Sequence, residues 1–102
     1  MDPERISDFN IGDVVLSTAG RDQGKLFYVI GTDPVYLSLA NGKDRTLDRP
    51  KRKKRKHIQK VLRSETRVAE KLRNGDKVLN SELRRDLAYF GQDMQSNTLG
   101  GF

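Results

Sequence analysis

The sequence lacks several residue types on which common functional sites depend. Its 102 residues include no cysteine, no tryptophan and a single histidine, His57. Without cysteine the chain cannot form disulfides, thiolate zinc sites or a cysteine nucleophile, and one histidine cannot build a histidine metal cluster. It has no apolar run as long as a membrane span, and residues 1–4 are too polar for a signal peptide. We therefore expect a soluble cytoplasmic protein that binds no membrane, no metal and no other cofactor.

The polar residues form no recognisable catalytic constellation. The carboxylates are scattered singly and lie mostly near turns, and there is no phosphate loop of the Walker type. His57 has no partner residue in an arrangement typical of nucleophilic catalysis. The sequence therefore predicts a protein that is not an enzyme and has no small-molecule substrate.

Positive charge is concentrated in one short segment. The formal net charge is −3 over residues 1–48, +9 over residues 49–63 and zero over residues 64–102, which gives +6 for the chain. The nine cations of the middle segment have no acid among them. Such a localised block indicates a defined contact surface for a polyanion, and a nucleic-acid backbone is the polyanion we expect.

The basic segment is predicted to be a loop or an edge extension over residues 49–60. Pro50 lacks the N–H that a sheet ladder needs, and residues 57–62 have the apolar pattern of a closing strand with Ile58 in the core. We predict RNA contacts from these residues: Arg49, Lys51, Arg52, Lys53, Lys54, Arg55, Lys56, His57 and Lys60. A nuclear localisation signal, a site for anionic lipid and a solvated charged loop are the alternatives.

The first half of the chain has the pattern of short strands separated by tight turns. Strands are predicted at residues 14–16, 25–30 and 35–39, and Gly31 is expected to end the second of them. Asn41-Gly42 predicts a hairpin that leads to a return strand over residues 43–48. This pattern indicates a small, strongly bent antiparallel sheet or barrel.

The stretch Gly20-Arg21-Asp22-Gln23-Gly24-Lys25 lies between the first two predicted strands. With residues 14–16 before it and Val29-Ile30 after it, it resembles a KOW motif, which marks small SH3-like barrels in ribosomal proteins and NusG-type transcription factors. Over residues 8–62 the chain is similar to the archaeal and eukaryotic large-subunit ribosomal protein family fourteen-e and its short bacterial relatives. The matching elements are Gly24-Lys25, Val29-Ile30, Asp33, Leu37 and Gly42. Phe27 replaces the second glycine of many KOW motifs, which favours the fourteen-e-like group.

The resemblance implies a five-stranded SH3-like barrel that binds structured RNA through its loops. In residues 20–25, here called the KOW-like loop, Arg21 and Lys25 would carry the charge. Gly20 and Gly24 can take positive φ, which lets backbone N–H groups approach phosphates closely. The alternative is that Gly24 only shapes a turn and that Arg21 pairs with Asp22 or another acid.

The second half of the chain predicts two short amphipathic helices. The first is expected over residues 65–73, with Ser64 as N-cap and Asn74-Gly75 as its stop. The second is expected from Asn80 or Ser81 to about Phe90. Their apolar stripes are predicted to pack in the core and consist of Val68, Ala69 and Leu72 in the first helix and of Leu79, Leu83, Leu87 and Phe90 in the second. Docking on a partner, a second RNA surface and a DNA-binding helix-turn-helix are the alternatives.

These observations combine into one prediction of fold and function. We predict a mainly β protein with α: a small SH3-like five-stranded KOW barrel in residues 1–63, a two-helix extension in residues 64–91 and a flexible tail in residues 92–102. The predicted function is non-catalytic binding of structured RNA by a ribosomal or ribosome-associated protein, on large-subunit rRNA and next to ribosomal proteins. The alternative is a protein-interaction module of the transcription or translation machinery that binds an acidic protein.

Overall fold

Five antiparallel strands form one sheet, and two helices follow it in the chain. A computed structural model describes the backbone of residues 8–99 and the side chains of residues 8–91. Its elements are β1 (Asp13–Ser17), β2 (Leu26–Thr32), β3 (Tyr36–Ala40), β4 (Lys51–Lys54), a 3-10 turn (Arg55–His57), β5 (Ile58–Arg63), α1 (Arg67–Asn74) and α2 (Asn80–Leu99). The strand order is β4-β3-β2-β1-β5. These elements confirm the prediction of a mainly β fold with α.

The sheet must be strongly curved, since its two edge strands are joined by the 3-10 turn alone and that turn is too short for a flat sheet. In a flat sheet of this order the axes of β4 and β5 would lie about 19 Å apart, at about 4.8 Å per strand spacing. The chain from Lys54 to Ile58 spans at most about 14 Å. Register shifts after Val14 in β1 and after Val29 in β2 mark places where bulges bend the strands. Within residues 8–99, β4 and β5 form no ladder with each other, so hydrogen bonds do not close the sheet into a barrel there.

Both faces of the sheet are buried, each by a different set of apolar side chains. The inner cluster, inside the curve, contains strand residues alone: Val15, Phe27, Val29, Leu37, Leu39 and Ile58. The outer cluster joins sheet and helices: Val14, Tyr28, Ala40, Val68, Ala69, Leu83 and Leu87. The apolar stripes of the helices therefore pack in the core as predicted, with the exception of Leu79.

Two strand predictions are wrong. The return strand after β3 is β4 and not residues 43–48, because the N–H groups of Asn41 and Gly42 both donate to the carbonyl of Arg45 and close an irregular turn. Lysine, which makes up three of the four residues of β4, is depleted in strands, but pairing with β3 outweighs this propensity. Gly31 does not end β2, because the bulge carries the strand on to Thr32.

Helix α1 begins two residues later than predicted. Its N-cap is Thr66 and not Ser64, and the Thr66 hydroxyl accepts a hydrogen bond from the N–H of Ala69 at 3.2 Å. Ser64 is buried instead, where its hydroxyl hydrogen-bonds the phenol of Tyr28 at 2.9 Å. Gly75 ends the helix in the left-handed conformation, with φ of +76°, as predicted.

Helix α2 starts at Asn80, as predicted, but it runs past Gly91 to Leu99. Leu83 and Leu87 are buried, whereas Leu79 is 53% exposed because it precedes the first turn of the helix. Residues 92–99 of the predicted tail therefore continue the helix, and residues 100–102 lie outside the described residues.

Candidate nucleic-acid interface

Strand β4 divides the basic segment between the two faces of the sheet. Lys51 and Lys53 lie opposite two leucines of the inner cluster. Directly opposed residues of antiparallel strands share a face, so these two lysines point towards the inner side. Arg52 and Lys54 point the other way and are exposed. The predicted loop or edge extension over residues 49–60 therefore contains edge strand β4, the 3-10 turn and the first three residues of the other edge strand, β5.

Lys53 forms a buried ion pair with Asp22, and each side chain is 9% exposed. The Lys53 Nζ donates to Asp22 Oδ1 at 2.6 Å and also to the carbonyl of Ala19. Burial raises the pKa of Asp22, but hydrogen bonds from Lys53 and Ser17 and the charge of Lys51 outweigh it, so that the pKa lies below its usual value. This pair ties the β1–β2 loop to β4, which makes Lys53 a structural residue and not a free RNA contact.

The loop between β1 and β2 contains two glycines in the left-handed conformation. Gly20 and Gly24 have φ of +83° and +89°. The N–H of Gly24 donates to the carbonyl of Ser17 at 2.8 Å, so the loop itself uses this group and a phosphate cannot. Arg21 is exposed, and the neighbouring Asp22 is engaged by β4 instead of by Arg21.

A cleft of about 320 Å³ brings the KOW-like loop and the basic segment together. Residues of the β1–β2 loop, the β3–β4 connection and β4 line it: Arg21, Asp22, Lys25, Asp44, Arg45 and Lys51. Lys25 lies 2.7 Å from Asp44, and Lys51 lies 3.5 Å from Asp22. Within residues 8–91, neither arginine has a carboxylate at ion-pair distance. The cleft therefore carries two arginine charges that these carboxylates do not compensate.

Arg45 is the cation of this cleft that was not predicted from the sequence. Its N–H donates to Asn41 Oδ1 at 3.0 Å, and its carbonyl accepts from the N–H groups of Asn41 and Gly42, so the turn folds it back towards the KOW-like loop. Hydrogen bonds from Lys25 and Asn41 lower the pKa of Asp44 to about 2, so Asp44 stays charged at neutral pH and holds Lys25 in place. Asn41-Gly42 was the available signal, but it predicted a two-residue hairpin and not this longer connection.

The other predicted contacts are partly held inside the chain. Three cations face carboxylates: Arg52 with Asp33 at 2.9 Å, Lys60 with Asp13 at 3.1 Å and Arg55 with Asp8 at 4.0 Å. His57 is half-buried in the 3-10 turn, where its carbonyl accepts from the N–H of Thr18. Three more predicted cations are exposed and have no carboxylate partner in the described part of the chain: Arg49, Lys54 and Lys56.

The described residues contain no cluster of three or more histidine, cysteine or acidic side chains suited to hold a metal ion. In the same part of the chain, no helix has the length and apolar character needed to cross a membrane.

A scan against protein-family models and a search of curated proteins find no match to this chain. The resemblance to KOW and fourteen-e proteins therefore rests on the sequence elements given above.

Proposed function

We propose that this protein is a non-catalytic RNA-binding protein that docks on structured RNA as a ribosomal or ribosome-associated component in the cytoplasm. The observation that carries the proposal is the cleft in which the KOW-like loop and the basic segment meet. Five of the exposed cations that have no carboxylate at ion-pair distance among residues 8–91 line the cleft or lie along the basic segment. They are here called the unpaired cations and supply the charge: Arg21, Arg45, Arg49, Lys54 and Lys56.

We also propose that the curved sheet is an SH3-like barrel of the KOW kind. Its five antiparallel strands, its KOW-like loop between β1 and β2 and the short turn between its edge strands support this assignment. A fold alone does not define a function, so the RNA-binding proposal rests on the cations and not on the barrel.

The unpaired cations suit a folded RNA backbone. Lysine offers a mobile point charge, and arginine offers a planar fork that matches phosphate oxygens. With about five phosphate contacts, log K should fall against log salt concentration with a slope of roughly −3.5 to −4.5. The cations that already face carboxylates contribute less, because those carboxylates neutralise part of their charge.

Fluorescence anisotropy with labelled fragments of large-subunit rRNA, over a series of salt concentrations, tests the proposal. A triple variant with Arg21→Gln, Lys54→Gln and Lys56→Gln should bind more weakly, with a salt slope shallower by about 2 to 3. The matched control removes three exposed cations from the helical half: Arg67→Gln, Lys77→Gln and Arg85→Gln. Equal losses in the two variants, or no binding by the unchanged protein at low salt, would contradict the proposal.

A sucrose gradient of a low-salt cell lysate, with and without RNase, tests the cellular assignment. Comigration with the large ribosomal subunit that RNase or high salt abolishes is the expected result. If the protein stays at the top of the gradient, stable ribosome docking is wrong. A complex that resists nuclease would instead favour the protein-interaction module.

A further inference from the structure

Arg52 is an exposed side chain that two neighbours hold in one place. Its Cζ lies 4.1 Å from the centre of the Tyr36 ring, and its Nη2 donates to Asp33 Oδ2 at 2.9 Å. Tyr36 and Arg52 are diagonal neighbours on one face of the paired strands β3 and β4. Although both contacts fix its orientation, the Arg52 side chain remains 63% exposed.

Asp33, the carboxylate that holds Arg52, is itself fixed. Its Oδ1 accepts hydrogen bonds from the N–H groups of Val35 and Tyr36 at 2.9 and 2.7 Å. Hydrogen bonds from the N–H of Tyr36, from Arg52 and from the N–H of Val35 lower the pKa of Asp33 to about 2, so it is ionised at neutral pH. Because Asp33 occupies an N–H edge of the guanidinium and compensates its charge, the planar face of Arg52 is the part best suited to meet a ligand.

An exposed apolar residue and an exposed cation are close to this pair in the sequence or the strand pairing. Val35 directly precedes Tyr36 and is 53% exposed. Lys54 lies directly opposite Tyr36, is exposed and has no carboxylate partner within the described residues. A planar cation on an aromatic ring, with a free ammonium beside it, has the chemistry needed to hold a base and its phosphate.

We propose that Tyr36 and Arg52 form a stacking platform for one unpaired base of the bound RNA and that Lys54 neutralises the phosphate of that nucleotide. The inference rests on the proposed RNA binding and adds a preference for RNA with a splayed-out base over a continuous duplex. Bases in loops and bulges can stack on arginine planes, whereas bases inside an A-form duplex cannot reach them. The orientation of Arg52 is already set, so binding loses little side-chain freedom.

Two blunt-ended RNA duplexes that differ only by one bulged 2-aminopurine test the platform, because the fully paired duplex has no loop bases that could stack on it. Anisotropy reports affinity, and 2-aminopurine fluorescence reports whether the bulged base becomes stacked on the protein. Arg52→Lys keeps the charge but loses the plane. This variant should bind the bulged RNA about tenfold more weakly, which is the size of one lost base stack. Its binding should not change the 2-aminopurine fluorescence, because the bulged base no longer stacks on the protein. Its affinity for the fully paired RNA should be unchanged.

Arg63→Lys is the matched control. Arg63 is 56% exposed and pairs with Glu65 at 2.9 Å, much as Arg52 pairs with Asp33, but in the described part of the chain no aromatic ring lies beneath it. This variant should bind both RNAs as the unchanged protein does. Lys54→Gln should instead weaken binding of the bulged RNA and make its salt slope shallower by about 0.7 to 0.9. Far-UV circular dichroism and thermal unfolding of all three variants should match the unchanged protein.

The possible outcomes separate this inference from the proposed function. If the unchanged protein binds both RNAs equally, or if Arg52→Lys weakens both alike or neither, the stacking platform is wrong although RNA binding stands. If the unchanged protein binds neither RNA even at low salt, the proposed function fails and the platform fails with it.

Discussion

Lys53 and Lys54 are adjacent residues with the same side chain in opposite environments. Lys53 is buried against Asp22, whereas Lys54 is exposed. Removing one partner of a buried ion pair costs about 3–5 kcal/mol, because the other charge stays buried. Lys53→Met should lower the free energy of unfolding by about 3 kcal/mol, the lower end of that range, because Lys51 still lies 3.5 Å from the carboxylate. Lys54→Met should change it by at most about 0.5 kcal/mol.

Urea unfolding of both variants, followed by far-UV circular dichroism, measures this difference. The pKa of Asp22 is lower in the folded protein than its ordinary value of 3.8. Its contribution to stability is therefore present above pH 3.8 and is lost as the pH falls through the folded pKa. The gap between the unchanged protein and Lys53→Met should narrow in acid. Equal effects of the two substitutions at pH 7 would show that the Lys53–Asp22 pair does not stabilise the fold.

Tyr28 connects the sheet to both helices through one hydroxyl. It donates to Asp86 Oδ2 at 2.7 Å, shares a 2.9 Å hydrogen bond with Ser64 and lies 3.3 Å from the Thr66 hydroxyl that caps α1. Burial raises the pKa of Tyr28 from 10 to about 12. The neutral phenol is therefore the form that the fold favours. Its contribution to stability is complete below pH 10 and is lost as the pH rises through about 12.

Tyr28→Phe removes this hydroxyl and its ionisation. At pH 7 the variant should be less stable by about 1–3 kcal/mol, because the buried polar partners lose one hydrogen bond. Between pH 10 and pH 12 the free energy of unfolding should fall more steeply for the unchanged protein than for the variant. Urea unfolding of the pair at several alkaline pH values measures both effects. The titrating lysines are common to both proteins and cancel in the comparison, so parallel pH profiles would rule out the Tyr28 contribution.

At the scale of the elements, the β3–β4 connection packs against the first residues of α2. Arg84 donates to the carbonyl of Gly42 at 2.6 Å, and Asn80 Oδ1 accepts from the N–H of Leu47 at 2.8 Å. A Cβ on Gly42 would overlap the carbonyl oxygen of Asn80. Because the connection also presents Arg45 to the candidate RNA cleft, helix α2 indirectly positions part of that site.

Gly42 and Gly75 form a matched pair for testing this contact. Their φ angles are +77° and +76°, but nothing lies within 4 Å of a Cβ placed on Gly75. Gly75→Ala should lower the free energy of unfolding by about 1–2 kcal/mol, because alanine is strained in the left-handed conformation. Gly42→Ala should lower it by more than about 3 kcal/mol, because the added Cβ must also separate the β3–β4 connection from α2. Urea unfolding of the two variants gives the difference, and equal costs would mean that this contact is absent in solution.

Local signals explain which elements the sequence could predict. β-branched runs, the αL glycine at Gly75 and the helical spacing of Leu83 and Leu87 are local, and the elements they predicted are present. Strand β4 has no such signal, because it becomes a strand only through pairing with β3. The contact between Gly42 and Asn80 also joins distant parts of the chain. Sequence reasoning therefore placed Gly42 in a turn but could not show what that turn packs against.

At the scale of the whole molecule, folding brings the acidic and the basic segments together. The first 48 residues carry −3 and residues 49–63 carry +9. The structure pairs carboxylates of the first segment with cations of the second at three short distances: Asp22 with Lys53 at 2.6 Å, Asp33 with Arg52 at 2.9 Å and Asp13 with Lys60 at 3.1 Å. A charge run in the sequence thus overstates the charge that is free to bind a polyanion. Which cations stay unpaired depends on how the strands pair with one another. Counting charges along the sequence does not reveal this pairing.

The outer cluster makes the sheet and the helices depend on each other. Val14, Tyr28 and Ala40 of the sheet belong to one buried cluster with apolar residues of both helices. A chain cut after residue 63 would leave this apolar face in water, at a cost of about 25 cal/mol for each Å². We therefore expect the fragment of residues 1–63 to bind a hydrophobic dye and to lack a cooperative unfolding transition.

The full chain should then unfold in one step. Far-UV circular dichroism at 222 nm reports mainly the helices. In a Tyr89→Phe background, which removes the exposed tyrosine of α2, tyrosine fluorescence reports the sheet through Tyr28 and Tyr36. Both signals should give the same urea midpoint, and Leu83→Ala, which opens a cavity between helix and sheet, should lower both midpoints together. If the helical signal is lost first while the tyrosine signal stays native, residues 1–63 are an independent domain. In that case the outer face of the sheet would be stable without the helices, and the positioning of Arg45 by α2 would have to be abandoned as well.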